Sequence, residues 1–307
     1  MKIGMLFLVF SLLTIPGQAR PDLTRFTLTF EDEFEGTRLD PNRWEATDGE
    51  LRQKKASRWK NSQVEVSNGT LKLKITKVST DPEPTVRYHC GSVRTRKGYS
   101  DTYLFRQKYG YYEARYKLPA RIDMDYWAAF WLMAGPVSQT TDTRVGMEID
   151  IMESFTYARG YHSANFHWGG YGPRHNKYSL ICGPQNQVLD GHFHTFALSW
   201  DTEAYIIYID GVEVGRTDMK GLGSVPGLTL SNGTTRSEAW LLLSCEAALF
   251  PGKNSRDWEP NAPEQDAFEI DYVRIYELKP AFTTDLVSSG PDPTATGLPR
   301  RTSITGR

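Results

Sequence analysis

The stretch Gly146-Met-Glu-Ile-Asp-Ile-Met-Glu-Ser154 decides how the rest of this chain is interpreted. Its only charged residues are Glu148, Asp150 and Glu153, with isoleucines and a methionine between them. Alternation of polar with β-branched residues is typical of a strand. We therefore predict a strand that turns Glu148 and Asp150 to one face and the isoleucines to a buried layer.

In a regular strand, Glu153 would fall on the apolar face. One extra residue in a β-bulge, at Ile151 or Met152, returns it to the face of the other two acids. Three adjacent carboxyls are costly, because like charges raise each other's pKa. A retaining glycosidase uses such a set, with an ionised nucleophile and a protonated acid/base about 5 Å apart. The alternative is a solvated strand face whose acids pair with Lys or Arg of the next strand.

The same alternation recurs along the chain. Tyr109–Leu118 alternates charged residues with tyrosine and alanine, and Tyr126–Met133 carries Trp127, Ala129 and Trp131 on one face. About a dozen such segments, with almost no amphipathic helix, predict an all-β fold, a sandwich of two antiparallel sheets. Residues 45–62 are polar and basic, which favours a surface loop there.

Composition limits the classes of partner. The chain has 307 residues, of which 39% are hydrophobic and 12% aromatic, and its net charge is −1. This length supports one large β domain, while the charge predicts no nucleic-acid partner and no membrane partner. The aromatic content suits a neutral sugar, whose C–H faces stack on rings.

Three segments differ in composition. Residues 1–19 resemble a secretory signal, because Lys2 precedes an apolar run that ends at Ile15. A membrane anchor is the alternative, although the run is shorter than the ~20 residues that span a bilayer. Residues 20–280 form the predicted catalytic domain, and residues 281–307 a disordered Ser/Thr/Pro-rich tail. We therefore expect a secreted, extracellular protein, and a monomer by default.

The three cysteines, Cys90, Cys182 and Cys245, are too few for a disulfide scaffold. Their spacing does not match a metal site. Either three buried thiols or one bridge with one free thiol remains open.

Five motifs together resemble glycoside hydrolase family 16. They are Phe30-Glu-Asp-Glu-Phe34, Tyr109-Gly-Tyr-Tyr-Glu-Ala-Arg115, Trp127-Ala-Ala-Phe-Trp131, Glu148-Ile-Asp-Ile-Met-Glu153 and Asp271-Tyr-Val-Arg-Ile-Tyr276. The resemblance implies a β-jelly-roll sandwich with an open concave cleft, and endo-acting, retaining hydrolysis of a β-linked polysaccharide.

The resemblance also implies roles for single residues. Glu148 would be the nucleophile, Glu153 the acid/base, and Asp150 the assisting residue between them. The implied substrate-binding residues are Trp127, Trp131, His167, Arg94, Asn61 and Trp168. No cofactor is implied for catalysis, but family members often hold a structural calcium ion, whose ligand positions match Glu33, Gly69 and Asp271 here.

The chain departs from the pattern of β-1,3-glucanases near the catalytic strand. Thr143-Arg-Val-Gly146 and Trp127-Ala-Ala-Phe-Trp131 lack the Trp-Pro pairs usual in those enzymes, and the loop from Trp168 to His175 is able to add a wall to the cleft. We predict β-1,3- or mixed-linkage β-1,3-1,4-glucan as substrate, with an agar- or carrageenan-type galactan next. Transglycosylation and a non-catalytic glucan-binding role are the remaining alternatives.

Overall fold

The computed structural model describes residues 20–52, 56–119, 126–134, 147–155, 161–168, 171, 173, 175–184, 187–201, 204–218, 238–247 and 265–280. The predicted signal and tail, residues 1–19 and 281–307, lie outside these ranges. Within the described ranges, no helix has the length and apolarity needed to cross a membrane.

Strands dominate the described chain, which also has two short 3₁₀ turns, Leu23–Arg25 and Asn61–Gln63. The strands are β1 (Phe26–Asp32), β2 (Glu45–Ala46), β3 (Ser57–Trp59), β4 (Val64–Ser67), β5 (Thr70–Lys77), β6 (Tyr88–Cys90), β7 (Ser92–Arg94), β8 (Gly110–Lys117), β9 (Tyr126–Ala134), β10 (Met147–Phe155), β11 (Tyr161–Trp168), β12 (Asn176–Pro184), β13 (His194–Trp200), β14 (Ala204–Ile209), β15 (Val212–Asp218), β16 (Ala239–Ala247) and β17 (Gln265–Leu278).

These strands form two sheets. The ten-stranded sheet has the order β15-β14-β13-β8-β17-β5-β6-β3, with β1 paired to β17 and β4 to β5. The seven-stranded sheet has the order β12-β11-β10-β9-β16-β7-β2. Neighbouring strands are antiparallel except for the parallel pair β3 and β6. The predicted all-β sandwich of two antiparallel sheets is confirmed.

The core lies between the two sheets. Rings from opposite sheets meet there, for example Tyr116 with Phe130 and Phe166 with Tyr205, at centroid distances of 6.4 and 4.8 Å. The chain crosses from β6 to β7, and so between sheets, at Gly91, where a Cβ atom would stand 2.6 Å from the carbonyl oxygen of Gln63. Only glycine fits such a close approach of backbone.

All three cysteines are free and buried. Of the two possibilities left open by their spacing, the structure shows three buried thiols.

One prediction about the fold is wrong. Residues 45–62 are not simply a surface loop, since they contain β2 and β3, and Trp59 is only 1% exposed. The indole of Trp59 donates to the carbonyl oxygen of Cys245 at 3.0 Å. The guanidinium of Arg52 covers the indole ring, 3.5 Å from its centroid. A cationic residue that packs over a buried ring makes the local sequence look polar.

Candidate active site

The acidic residues of β10 share the face of the seven-stranded sheet that points away from the core; we call this the site face. Along β9, Asp150 lies opposite Trp131 and Met152 lies opposite Phe130, so Ile151 is the extra residue of a β-bulge. The bulge allows Ile151 and Met152 both to be buried at 1% exposure. Beyond it, Glu153 has the same facing as Asp150. The predicted strand and its bulge are both confirmed.

Strand pairing sets the neighbours of each acid. On β11, Glu148 lies opposite His167, Asp150 opposite Asn165 and Glu153 opposite Ser163. On β9, the corresponding partners are Met133, Trp131 and Ala129. None of these partners is a lysine or an arginine, so the solvated ion-paired face that the sequence left open is not what the strand pairs present.

Two side chains hold the carboxylate of Glu153. The indole of Trp127 donates to Oε1 at 2.9 Å, and the amide of Asn165 donates to Oε2. The same amide donates to the Ser163 hydroxyl at 3.2 Å. Glu153 is therefore held in one orientation by neutral donors from both neighbouring strands.

Glu148 is held from a loop. The hydroxyl of Tyr171 donates to its Oε2 atom, and its side chain is 13% exposed. Burial raises the pKa of Glu148 to about 7; the hydrogen bond from Tyr171 opposes this rise, and the charge of Glu153 adds to it. Glu148 thus ionises near neutral pH, well above an ordinary glutamate.

Asp150 is the most buried of the three acids, at 2% exposure. Burial raises its pKa well above the usual value, and the charges of Glu153 and Glu148 raise it further. Its Oδ2 atom has no hydrogen-bond partner among the described residues. Burial and mutual repulsion therefore favour a shared proton among these acids at a higher pH than free carboxyl groups would hold one.

His167 faces the two acids on the nucleophile side. Its Nε2 atom lies 3.4 Å from Asp150 Oδ2 and 3.9 Å from Glu148 Oε1. Burial lowers the pKa of His167 to about 4, and the nearby His175 and Lys177 lower it too. The imidazole is therefore neutral at the pH where Glu148 ionises. Side-chain atoms of Glu148, Asp150 and His167 lie within 4.8 Å of one another.

The site face continues from Trp131 across β16 to β7. Leu242 of β16 lies opposite Trp131 and also opposite Arg94 of β7, which in turn lies opposite Glu45 of β2. The indole of Trp131 donates to the Ser244 hydroxyl at 3.1 Å. The predicted residues Trp127, Trp131 and Arg94 thus lie on one continuous surface with the acids.

Arginines and glutamates crowd the β2 side of this surface, in a group that we call the arginine cluster: Glu45, Glu50, Arg52, Arg94 and Glu246. Arg94 donates twice to Oε1 of Glu45, at 3.0 and 2.8 Å, and lies 3.6 Å from Glu50. Arg52 donates to Glu246 at 3.0 Å and lies 3.4 Å from Glu50. Two cations thus face three carboxylates.

For two predicted sugar-binding residues, Asn61 and Trp168, the structure shows no side-chain contact with the acids among the described residues. Asn61 is exposed in the second 3₁₀ turn, and its backbone N–H donates to Asp48 Oδ1 at 3.1 Å. Trp168 ends β11 opposite Met147, but its side chain lies outside the described residues.

The predicted calcium ligands meet arginines. The carboxylate of Glu33 accepts two hydrogen bonds from Arg274, at 2.7 and 2.9 Å, and that of Asp271 accepts one from Arg115 at 2.5 Å. Gly69 lies in the turn between β4 and β5. A calcium ion bound here would have to use carbonyl oxygens or displace the guanidinium groups, so these carboxylates fit it poorly as placed.

Sequence reasoning missed three side chains of the site. Tyr171 and His175 belong to the loop that was expected only to wall the cleft, and Arg52 belongs to a segment interpreted as a polar loop. No local pattern marks them, because each reaches the acids or the arginine cluster only through pairing of distant strands.

A family model described as "Beta-porphyranase A-D, GH16 domain" matches residues 27–278. The chain is 25% identical over 276 residues to glucan endo-1,3-β-glucosidase A1 of Niallia circulans, an alignment that covers 84% of this chain and 39% of that protein. The chain therefore spans about two fifths of that relative's length.

Solved structures show the same fold. LamAcat from Zobellia galactanivorans is 26% identical, with a TM-score of 0.62, over 83% of this chain and 99% of that one. The laminarinase catalytic domain of Thermotoga maritima is 23% identical, with a TM-score of 0.65, over 82% and 98% of the two chains. At 23% identity, the similarity to the Thermotoga maritima domain is evidence for a shared fold only.

Proposed function

The chain belongs to glycoside hydrolase family 16, and we propose that it is an endo-acting enzyme that hydrolyses a β-linked polysaccharide with retention of configuration. The proposal rests above all on the β-bulge at Ile151, which turns Glu148, Asp150 and Glu153 to one face of β10. Nothing in the packing of the core requires three acids there, and their mutual repulsion costs stability.

In the first step we assign attack on the anomeric carbon to the ionised carboxylate of Glu148. Protonated Glu153 gives its proton to the leaving glycosidic oxygen, and a covalent glycosyl-enzyme results. The hydrogen bond from Tyr171 favours the ionised form of Glu148. Trp127 and Asn165 hold the Glu153 carboxyl in one orientation, which keeps the acid aimed at the glycosidic oxygen.

In the second step Glu153, now ionised, takes a proton from water. The water oxygen attacks the anomeric carbon as it loses this proton, and the bond to Glu148 breaks. Glu148 is then ionised and Glu153 protonated, as at the start of the cycle. Asp150 acts between the two, since its raised pKa lets it share a proton with Glu148 when that carboxylate is free.

As the substrate we propose β-1,3- or mixed-linkage β-glucan. The relative from Niallia circulans is named as an endo-1,3-β-glucosidase. The arginine cluster supports an uncharged sugar, because Arg52 and Arg94 already face Glu45, Glu50 and Glu246. A sulfate group would have to compete with these carboxylates for both guanidinium groups.

The second candidate substrate is porphyran, an agar-type galactan, because the matched family model is described as a β-porphyranase. The two candidate substrates differ in the charge of the sugar. The arginine cluster is the part of the site that would distinguish a charged sugar from an uncharged one.

We also propose that the enzyme is exported. Lys2, the apolar run that follows it and the small residues Gly17 and Ala19 support this. N-terminal sequencing of the secreted protein should then begin near Arg20.

The function is tested by reducing-sugar release from laminarin, mixed-linkage glucan, porphyran, agarose and carrageenan. The Glu148→Gln variant, matched by Glu213→Gln on the ten-stranded sheet, serves as control. We expect laminarin or mixed-linkage glucan to be cleaved, with at least about a 10³-fold loss in Glu148→Gln and none in Glu213→Gln. More than a few per cent of activity left in Glu148→Gln would reject the nucleophile assignment. Binding of laminarin without any cleavage would favour a binding protein.

A further inference from the structure

A line of three polar side chains runs from the buried acid to the loop before β12. Asp150 Oδ2 lies 3.4 Å from His167 Nε2, and His167 Nδ1 lies 2.8 Å from His175 Nε2. The two imidazole rings are parallel within 4°. His175 is partly exposed, so the line connects an acid that is 2% exposed with the protein surface.

The bond between the two rings fixes how many protons they hold. A neutral imidazole has one N–H donor and one bare nitrogen acceptor. At 2.8 Å, one of the two facing nitrogens must carry a proton and the other must not. The protonation of His175 Nε2 therefore decides which nitrogen of His167 carries the proton: Nε2 if His175 Nε2 is protonated, and Nδ1 if it is not.

The protons on Asp150, His167 and His175 can therefore be arranged in two ways. When Asp150 is ionised, His175 Nε2–H donates to His167 Nδ1, and His167 Nε2–H donates to Asp150 Oδ2. When Asp150 is protonated, its O–H donates to His167 Nε2, and His167 Nδ1–H donates to His175 Nε2. The facing nitrogens of the two rings are paired in both arrangements. Asp150 Oδ2 has no hydrogen-bond partner among the described residues, and His167 Nε2, 3.4 Å away, is the group placed to exchange a proton with it.

We propose that His175 is a positioning residue that sets the tautomer of His167 and, through it, connects the proton of Asp150 with solvent. To protonate Asp150, His167 passes its Nε2 proton to Oδ2, His175 passes its Nε2 proton to His167 Nδ1, and water supplies a proton to His175 Nδ1. The reverse sequence removes the proton. No ring becomes doubly protonated in the net change, and one proton moves from solvent to Asp150.

The charges around His167 suit a neutral relay. Glu148 and Asp150 face it from β10, Lys177 lies opposite it on β12, and Tyr171 and His175 contact it from the loop. The cation of Lys177 and burial both disfavour a charged imidazolium, so proton movement through alternating tautomers is favoured over storage of a proton on the ring.

The first test does not depend on catalysis. In ¹⁵N-histidine-labelled protein, a coupling across the hydrogen bond should join His167 Nδ1 and His175 Nε2, and each His167 nitrogen should show the shift of a single hydrogen-bonded tautomer. In His175→Ala the coupling should vanish and the His167 shifts should move toward the average of two tautomers. Absence of the coupling in the wild type, or unchanged His167 shifts in the variant, would overturn the proposal.

The second test rests on the proposed function. On the polysaccharide that the wild type cleaves, His175→Ala should lower kcat about fivefold, which corresponds to about 1 kcal/mol, shift the acid limb of its pH profile and leave KM unchanged. His175→Gln, whose amide offers both a donor and an acceptor, and added imidazole should each restore part of kcat. His194→Gln, a histidine held by Asp190 and Asp210 on the other sheet, is the matched control and should change nothing.

The outcomes separate the two proposals. An inactive wild type rejects the proposed function and leaves the NMR test to decide the tautomer. An active wild type with an unchanged pH profile in His175→Ala overturns the relay. So does a lower kcat that accompanies a lower Tm and that neither His175→Gln nor imidazole restores.

Discussion

The side chains of Asp81 and Asp150 both have little solvent exposure, but their electrostatics are opposite. Their side chains are 1% and 3% exposed. Asp81 accepts hydrogen bonds from Arg58, the backbone N–H of Glu83 and His89, and these hold its pKa well below the usual range. Burial raises the pKa of Asp150, and the charges of Glu153 and Glu148 raise it further.

The comparison teaches that burial alone does not set the state of a carboxyl group. A cation and donors favour the charged form of Asp81, whereas Asp150 has no cation beside it among the described residues, so burial and the neighbouring acids favour its protonated form. Glu113 also has donors around it, since the hydroxyls of Tyr111 and Tyr272 donate to it at 2.9 and 3.0 Å. The cluster on β10 differs from both because its three acids lie beside one another.

The largest expected effect is on the acid that lies beside Asp150. Glu153→Ala should lower turnover of the polysaccharide by about 10²- to 10⁴-fold, because no group remains to protonate the leaving oxygen. Substrates with an activated leaving group, or added azide, should recover much of the rate. An absence of recovery would indicate that Glu153 has a structural role, as Asp81 does. Glu213→Ala, at a glutamate on the other sheet that pairs with Arg216, is the control.

Next in size is the loss of the paired aspartate. Asp81→Asn should destabilise the fold by about 3 kcal/mol, because Arg58 loses its charged partner, while kcat of the folded protein is unchanged. Asp150→Asn should leave stability equal or higher and lower kcat. Urea unfolding of both variants measures this, and an equal loss of stability in the two would remove the distinction between the sites.

A smaller effect is expected in the pH dependence of stability. Because the folded pKa of Glu148 is about 7 and that of an unfolded glutamate is about 4.3, the folded state is penalised as pH rises through this interval. Glu148→Gln should therefore stabilise the protein above pH 7 and not at all below pH 4. Thermal melts at pH 4 and 8 test it; a gain of the same size at both would show that the charge is not the cause.

The smallest effect concerns the predicted calcium ion at Glu33, Gly69 and Asp271. If the ion is structural, chelation with EDTA should lower Tm by about 2 to 4 °C without direct loss of activity. Glu33 and Asp271 are bound to Arg274 and Arg115, which resembles the pairing of Asp81. An unchanged Tm would show that arginines alone neutralise this region.

Much of the site followed from local pattern. Alternation in Gly146–Ser154 predicted the strand, the facing of Glu148 and Asp150, and the bulge that Glu153 requires. These are properties of one strand, since side chains of successive residues point to opposite faces and one inserted residue reverses the order. The family motifs are likewise short local segments, each within a single strand or overlapping one.

Only the tertiary structure decided which groups meet the acids. Pairing of β10 with β9 and β11 brought Trp127 and Asn165 to Glu153, and the loop before β12 brought Tyr171 and His175 to Glu148 and His167. Such contacts join residues far apart in sequence, and their register depends on the packing of whole sheets. For the same reason the raised pKa of Asp150 and the lowered pKa of Asp81 were beyond the sequence, because each is set by neighbours that the fold supplies.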